Sequence, residues 1–261
     1  MCRLLGIMAN KEVDLRFSLV EGPHTLMGMS EWNPDGWGLG WYEDGQPVVV
    51  KEPQKAGKSK EFVRRAAEAR SLIFVAHVRK GTTGAKSMEN CHPFQWDRWL
   101  FAHNGSVNRE DLLGLLSEEH HAAIRGKTDS EVYFHWILQN IEREGDAVKG
   151  IKVALREVRN LQHSGLNFIL SNGERLYGYR EASRNYDYYS LYWLNRDPRE
   201  PRPIRFESKE VRALLESKSL NNERAILVCS EKLTQEEWVE IPLRHLLVVS
   251  SDLETECVEM D

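Results

Sequence analysis

The sequence predicts an α+β fold built in layers, on three observations. Short strand-like runs dominate, and many follow one another with no helix between them. The two longest helical patterns, 128–144 and 146–161, are neighbours, with strands before and after them. Two turns, Asp44-Gly45 and Asn172-Gly173, join adjacent runs as hairpins. Strands in runs and helices in runs argue against strict strand–helix alternation around a parallel sheet.

Each element has a local reason. The first strand is expected over 4–9, directly after Cys2. The next covers 36–42 and turns through 43–46 into 47–51. A helix over 58–71 carries Phe62, Val63, Ala66 and Ala69 on one side. Compact apolar strands follow at 72–78 and 99–102. A helix over 108–118 begins with a polar cap at Asn108. The helix over 128–144 opens Thr-Asp-Ser-Glu, a capping-box pattern, and its apolar stripe runs through Val132, Trp136, Leu138 and Ile141 to a stop at Gly145. The helix over 146–161 repeats the pattern with Val148, Ile151, Leu155 and Val158. Strands at 167–171, 175–180, 188–194, 225–229, 246–250 and 254–258 and a short helix at 208–217 complete the series. The Pro- and Arg-rich stretch 196–203 reads as an extended surface connection.

Composition narrows the function. A chain of 261 residues allows one large domain or two small ones. Strands on both sides of 196–203 favour one continuous domain with a late insertion. With 35 Lys+Arg against 40 Asp+Glu the net charge is -5, and no basic stripe suits a nucleic-acid backbone. The longest uninterrupted apolar runs have five residues, against the ~20 that a membrane span needs. No secretory signal pattern opens the chain, and Cys2, Cys91, Cys229 and Cys257 form no CxxC pair. Free thiols and a cytoplasmic location are expected, with no nucleic-acid or membrane partner.

Four places carry chemistry. If Met1 is removed, Cys2 presents a thiol and a free α-amine on one residue. The amine, with a pKa near ~7.7–8.0, can take the thiol proton near neutral pH, which makes nucleophile and base intramolecular. Arg79 ends a strand before the Gly-flanked turn 80–84; its planar fork suits a carboxylate, although a lone arginine is more often structural. In His103-Asn104-Gly105 a strand ends and a loop leads into a helix. The Asn104 amide and the Gly105 N–H can together form an oxyanion hole, although the pair alone reads more readily as a plain turn. Asp129, at the start of the 128–144 helix, favours the helix dipole and could also bind a substrate ammonium. Hydrolysis of a γ-glutamyl amide needs all four together: a thiol, a carboxylate fork, oxyanion donors and an ammonium partner.

At these residues the sequence resembles the class II glutamine amidotransferases of the N-terminal-nucleophile superfamily. The match runs in order through Cys2, Pro34-Asp35-Gly36-Trp37-Gly38, His77-Val78-Arg79 with Thr82, Asn90-Cys91-His92-Pro93-Phe94, His103-Asn104-Gly105 and Thr128-Asp129-Ser130-Glu131. The wording is most similar to the stand-alone, YafJ-type subgroup. The resemblance implies a four-layer αββα sandwich of two antiparallel sheets, the N-terminal-nucleophile (Ntn) hydrolase type. It implies a single type-2 amidotransferase domain over 1–261, with a C-terminal elaboration at about 195–261. Cys2 would attack the amide to give a γ-glutamyl thioester, with Asn104 and Gly105 holding the oxyanion. Arg79, Thr82 and Asp129 would hold the glutamyl part. The segment 36–40 would line the pocket, although its glycines equally permit close backbone packing. Lys80 stands where many members carry an aromatic residue.

Glutamine or another small γ-glutamyl compound is the expected substrate, with no cofactor and no metal. An ammonia-accepting synthetase subunit is the implied partner, and a homo-oligomer stays open. His77, His92, His103 and Cys91 lie close in sequence without zinc-type spacing, so a structural role is preferred. A cysteine–histidine hydrolase built on Cys91, a hydrolase of larger γ-glutamyl metabolites or peptides, and a non-catalytic glutamyl-binding regulatory subunit are the competing readings.

Overall fold

Alternation along the first strand sets the layering: Leu5, Ile7 and Ala9 pack to one side, Leu4 and Met8 to the other. The structure is a computed structural model that describes residues 2–197 and 223–261. The helix expected at 208–217 and most of the 196–203 connection lie outside the described residues. The strands are β1 (Arg3–Val13), β2 (Gly36–Glu43), β3 (Gln46–Glu52), β4 (Ser71–Arg79), β5 (Phe94–Trp96), β6 (Trp99–Val107), β7 (His163–Ser171), β8 (Leu176–Arg180), β9 (Tyr192–Arg196), β10 (Ala225–Cys229), β11 (Val239–Glu240), β12 (His245–Val249) and β13 (Thr255–Glu259). The helices are α1 (Leu26–Met29), α2 (Lys60–Glu68), α3 (Arg109–Leu113), α4 (Glu118–Ala123), α5 (Asp129–Glu144) and α6 (Ala147–Val158).

The strands form two antiparallel sheets. One has the order β11-β9-β10-β1-β4-β2-β3, the other β13-β12-β8-β7-β6-β5. An apolar cluster between them takes Leu4 and Met8 from β1, Val75 from β4, Ala102 from β6 and Val228 from β10. A second cluster joins the outer face of the first sheet to Leu26 of α1 and Phe62 and Ala66 of α2. A third joins the second sheet to α5 and α6 through Phe101, Phe134, Ile137 and Ile151. The result is the expected αββα sandwich. β10 sits between β9 and β1, while β12 and β13 extend the other sheet.

Local signals explain most boundaries. Thr128 caps α5, accepting the Glu131 N–H at 3.3 Å, and Gly145 ends it at φ 64°. Ser59 caps α2, which stops at Glu68, so Val63 stays exposed while Phe62 and Ala66 face inward. The helix expected over 108–118 is two helices. Asn108 caps α3, and Ser117 opens α4 as a new cap. The strand expected over 188–194 begins only at Tyr192, because 185–189 is a turn. β6 runs on through Val107, so His103, Asn104 and Gly105 belong to a strand, not to a loop.

The glycines of β2 serve close packing. Trp37, Leu39 and Trp41 fill the outer cluster, leaving Gly36, Gly38 and Gly40 to face the 91–93 segment. A Cβ on those three would stand 2.4 Å from Cys91 Sγ, 2.0 Å from the His92 carbonyl oxygen and 2.9 Å from Pro93 Cγ. The segment 36–40 therefore supports a backbone crossing rather than lining a pocket. Gly38→Ala should cost stability at the scale of overpacking, about 1–3 kcal/mol. Gly57→Ala, where the nearest atom would be 3.7 Å away, should stay within about 0.5 kcal/mol. Chemical denaturation of both variants checks this; equal stabilities would remove the crossing as a constraint.

Candidate active site

Cys2 lies just ahead of β1. The pairing of Arg3 with Val78 brings it alongside the end of β4, where Arg79 sits. Its sulfur accepts the Lys80 N–H at 3.2 Å and its S–H donates to the Lys80 carbonyl at 3.4 Å. Burial pushes the thiol pKa up. The Lys80 N–H and the positive charges of Arg79 and Arg3 pull against that rise.

The second sheet meets Cys2 through Asn104. This buried side chain donates from Nδ2 to the Cys2 carbonyl oxygen at 3.1 Å. An amide NH₂ has two hydrogens, so the bond leaves one donor over. Gly105 follows at φ 148°, and the β6–β7 register slips between Gly105 and Val107. A Cβ at Gly105 would stand 1.8 Å from the Gly165 carbonyl oxygen, so no side chain fits there. His103 points to the helix layer. Its Nε2 meets the Gly165 carbonyl at 3.2 Å and its Nδ1 the Ser130 hydroxyl at 2.9 Å. A carbonyl can only accept, so Nε2 carries the proton and Nδ1 accepts from Ser130 in the neutral ring. Burial lowers the His103 pKa, which favours that neutral form; Asp129 opposes the shift.

Asp129 is the first residue of α5 and is buried. Its Oδ2 accepts the Val107 N–H at 2.9 Å, fixing the helix start two residues beyond Gly105. Arg79 is also buried, with its guanidinium on its own loop. It donates to the carbonyls of Thr83 at 2.6 Å, Gly84 at 3.2 Å and Ala85 at 3.4 Å. A substrate carboxylate would displace these carbonyls or use the N–H groups they leave. Thr82 is exposed on this loop.

Three motif residues with no role assigned from sequence hold the loops in place. Asp35 accepts the Gly81 N–H at 2.9 Å and pairs with Lys86 at 2.6 Å. Asn90 donates to the Ala85 carbonyl at 3.0 Å and accepts the Lys127 N–H at 2.8 Å, tying the Arg79 loop to the approach to α5. Glu131 accepts the N–H groups of Arg125 at 3.0 Å and Gly126 at 2.6 Å. Their signal in the sequence was membership of the DGWG, NCHPF and TDSE strings. Apart from Lys86, their partners are backbone groups, which no side-chain pattern discloses.

The histidine and cysteine alternatives look different in three dimensions. His77 and His92 lie 4.2 Å apart between ring centres, and burial takes the His77 pKa down to about 3. Among the described residues no three His, Cys, Asp or Glu side chains could hold a metal ion. Cys91 is buried, with its thiol on the carbonyls of Ser87 at 3.3 Å and Glu52 at 3.7 Å. Burial raises its pKa, and with no access for substrate it cannot serve as a second nucleophile. No helix among the described residues is long and apolar enough to cross a membrane.

Comparison with known proteins gives the family. The family described as "Glutamine amidotransferases class-II" matches residues 1–260. The chain belongs to the class II glutamine amidotransferases. It is 34% identical to an uncharacterized protein of Methanocaldococcus jannaschii, over 95% of this chain and 69% of that one. It is 29% identical to YafJ of Escherichia coli, over 92% of this chain and 94% of the other, which places it with the YafJ-type members. A Mycobacterium tuberculosis relative named gamma-glutamyl-hercynylcysteine sulfoxide hydrolase is 29% identical, over 67% of this chain and 75% of its own. A glutamine aminotransferase class-II domain protein from Silicibacter pomeroyi shares the fold. Its TM-score is 0.66 at 20% identity, with 98% of each chain covered.

In this class II amidotransferase the loop bearing Thr82 is held by one titratable tether. Burial pushes the Asp35 pKa up, but Lys86 and the Gly81 N–H outweigh it, and the net shift is downward. A carboxyl with a lowered pKa stabilises the fold above the ordinary carboxylate range and loses that contribution as pH falls through its own value. The Gly81 amide should therefore be protected from hydrogen exchange at pH 6 and lose protection only as the pH falls below the ordinary carboxylate range, relative to the Val75 amide inside β4. Asp35→Asn should abolish the step. A Gly81 amide indifferent to pH would remove the tether.

Proposed function

We propose that this amidotransferase cleaves γ-glutamyl amides through a thioester on Cys2, acting on glutamine or a related small molecule. One observation supports the reading: the Asn104 amide of one sheet donates to the Cys2 carbonyl ahead of β1 in the other, so an amide donor meets the residue that bears the thiol. In the proposed reaction Met1 is absent and the Cys2 amine takes the thiol proton. The sulfur attacks the γ-carbonyl carbon. Oxyanion charge falls on the spare Asn104 hydrogen and the Gly105 N–H. The C–N bond breaks and the amine departs with the proton. Water then adds to the thioester, the C–S bond breaks, and glutamate leaves with the thiol restored.

Arg79, Thr82 and Asp129 are assigned to the glutamyl end, Arg79 to the α-carboxylate and Asp129 to the α-ammonium. The Lys80 N–H, already on the sulfur, suits a thiolate better than a thiol, so it supports the attack once the proton has gone. Water as final acceptor is the simplest outcome; transfer of ammonia requires a separate synthetase partner. The relative named as a γ-glutamyl hydrolase favours a second reading, in which the amide is part of a larger γ-glutamyl compound. The proposed location is cytoplasmic.

Cys2→Ala should abolish glutamate release while leaving the melting temperature near that of the wild type. In wild type, intact mass after treatment with the diazoketone analogue of glutamine should show one adduct, on a chain lacking methionine. Full activity in Cys2→Ala, or in material that retains Met1, would overturn the mechanism. Arg79→Ala should raise KM for glutamine by about tenfold to a hundredfold, the scale of one charged hydrogen-bonded contact, with a smaller change in kcat.

A further inference from the structure

The glutamyl contacts proposed above lie on one side of Cys2, and the opposite side is occupied by a turn that the family match leaves unassigned. In the first sheet β1 has β4 on one side and β10 on the other. Arg79 and its loop belong to the β4 side. On the β10 side Ser230 exchanges hydrogen bonds with Leu4, and Ser190 donates to the Ser230 carbonyl at 3.0 Å. The residues just before Ser190 form a turn beside the start of β1.

That turn is built rigidly. The N–H groups of Tyr188 and Tyr189 return to the Asn185 carbonyl at 2.9 and 3.2 Å, with Asn185 at φ 56°. The buried Arg180 donates to the carbonyls of Tyr189 at 3.0 Å and Tyr186 at 3.2 Å. A Cβ on Gly165 would stand 2.4 Å from the Tyr189 ring, and Gly165 is the residue against which Gly105 rests. The turn therefore stacks directly behind the proposed oxyanion corner.

Two large rings are left facing solvent on it. Tyr186 and Tyr188 are 51% and 50% exposed, and with Asn185 and Asp187 they frame a concavity of about 420 Å³. Tyr188 is held edge-on to Tyr189, at 5.2 Å and 90°. Burial and Tyr189 raise the hydroxyl pKa of Tyr188, and Arg3 at the start of β1 lowers it. Fixed tyrosines with open faces offer wide, amphipathic contact at little entropic cost. Ammonia, the departing group of glutamine, has nothing with which to use them.

We propose that the turn 185–188 is the subsite for the departing amine, and that it selects γ-glutamyl amides whose amine carries an aromatic ring. The assignment rests on the thioester reading above. With the glutamyl end toward the Arg79 loop, an amine extending away from it crosses Cys2 toward the turn, where its ring packs against Tyr186 and Tyr188.

The test compares γ-glutamyl benzylamide with γ-glutamyl methylamide, two amides of alkylamines that differ in the ring. The readout is the ratio of their kcat/KM values for glutamate release by the full chain. The wild type should favour the benzylamide about tenfold, the scale of one or two ring contacts. The Tyr186→Ala/Tyr188→Ala double variant should bring the ratio near one. Tyr186→Phe/Tyr188→Phe should retain the preference, since the rings and not the hydroxyls make the contact. A wild-type ratio near one, a preference that survives the alanine pair, or its loss in the phenylalanine pair would overturn the subsite while glutamine cleavage still stands. If neither amide nor glutamine yields glutamate or a thioester adduct, the reading beneath the subsite fails with it.

Discussion

The site depends on a place where two backbones touch with no side chain between them. Gly105 of β6 lies against Gly165, and a Cβ there would sit 1.8 Å from a carbonyl oxygen. Because that contact is so close, β6 slips register just after Gly105, and the strand keeps Asn104 turned toward the facing sheet and His103 toward the helices. Asn104 then spans the seam to Cys2. The same economy operates at β2, where Gly38 lets the 91–93 segment cross directly over the strand. That crossing positions Asn90, which joins the Arg79 loop to the approach to α5. A bulkier residue at either contact would separate layers whose edges must meet within hydrogen-bonding distance.

Charge in this region is managed by backbone groups. Burial keeps His77, His92 and His103 below their ordinary pKa and holds the Cys91 thiol above its own, so the interior between the layers is largely uncharged. The ions that remain are bound by amides and carbonyls. Arg79 rests on three carbonyls, Asp129 takes the Val107 N–H, and Glu131 takes two N–H groups. Asp35 is the exception, with Lys86 as a charged partner, and it lies nearer the surface. Neutral partners hold an ion without cancelling its field. In the proposed reading, an Arg and an Asp kept this way would stay attractive to an amino acid's carboxylate and ammonium, whereas an Arg–Asp ion pair would satisfy itself.

Much of this was legible in the sequence. The hairpin through Asp44-Gly45, the caps at Thr128 and Asp146 and the stop at Gly145 all follow local rules, and the structure keeps them. Short apolar runs at 4–9 and 72–78 indicated β1 and β4, which the two sheets bury on both faces. Elements of two to six residues escaped: α1, α4, β5 and β11 have too few positions for a period to register, and they exist because neighbours cover them. The continuation of β6 through Asn104 and Gly105 escaped for a different reason. Asn-Gly is a strong local turn signal, and pairing with β7 overrides it. The roles of Asp35, Asn90 and Glu131 were invisible because most of their partners are main-chain groups, which carry no residue-type signal. The tyrosine turn read as the beginning of a strand, since Tyr188, Tyr189 and Tyr192 have strong β preference.

The Arg79 loop shows how a buried cation can be stable on its own chain and still be able to exchange partners. The guanidinium closes on the carbonyls of Thr83, Gly84 and Ala85, which avoids an unpaired buried cation. A carboxylate is the stronger acceptor, so its arrival exchanges neutral hydrogen bonds for charged ones. The released carbonyls sit on residues 83–85, all exposed, and water can satisfy them at little cost. The loop need not unfold for this, because Asp35 holds it at Gly81 and Lys86 while Asn90 holds it at Ala85. Only the span between those anchors has to move, and Thr82 lies within it. In the proposed reading, substrate binding and loop rearrangement would be one exchange of partners around a single fixed guanidinium. An amide lacking the α-carboxylate would leave that exchange undone and the loop in its resting arrangement.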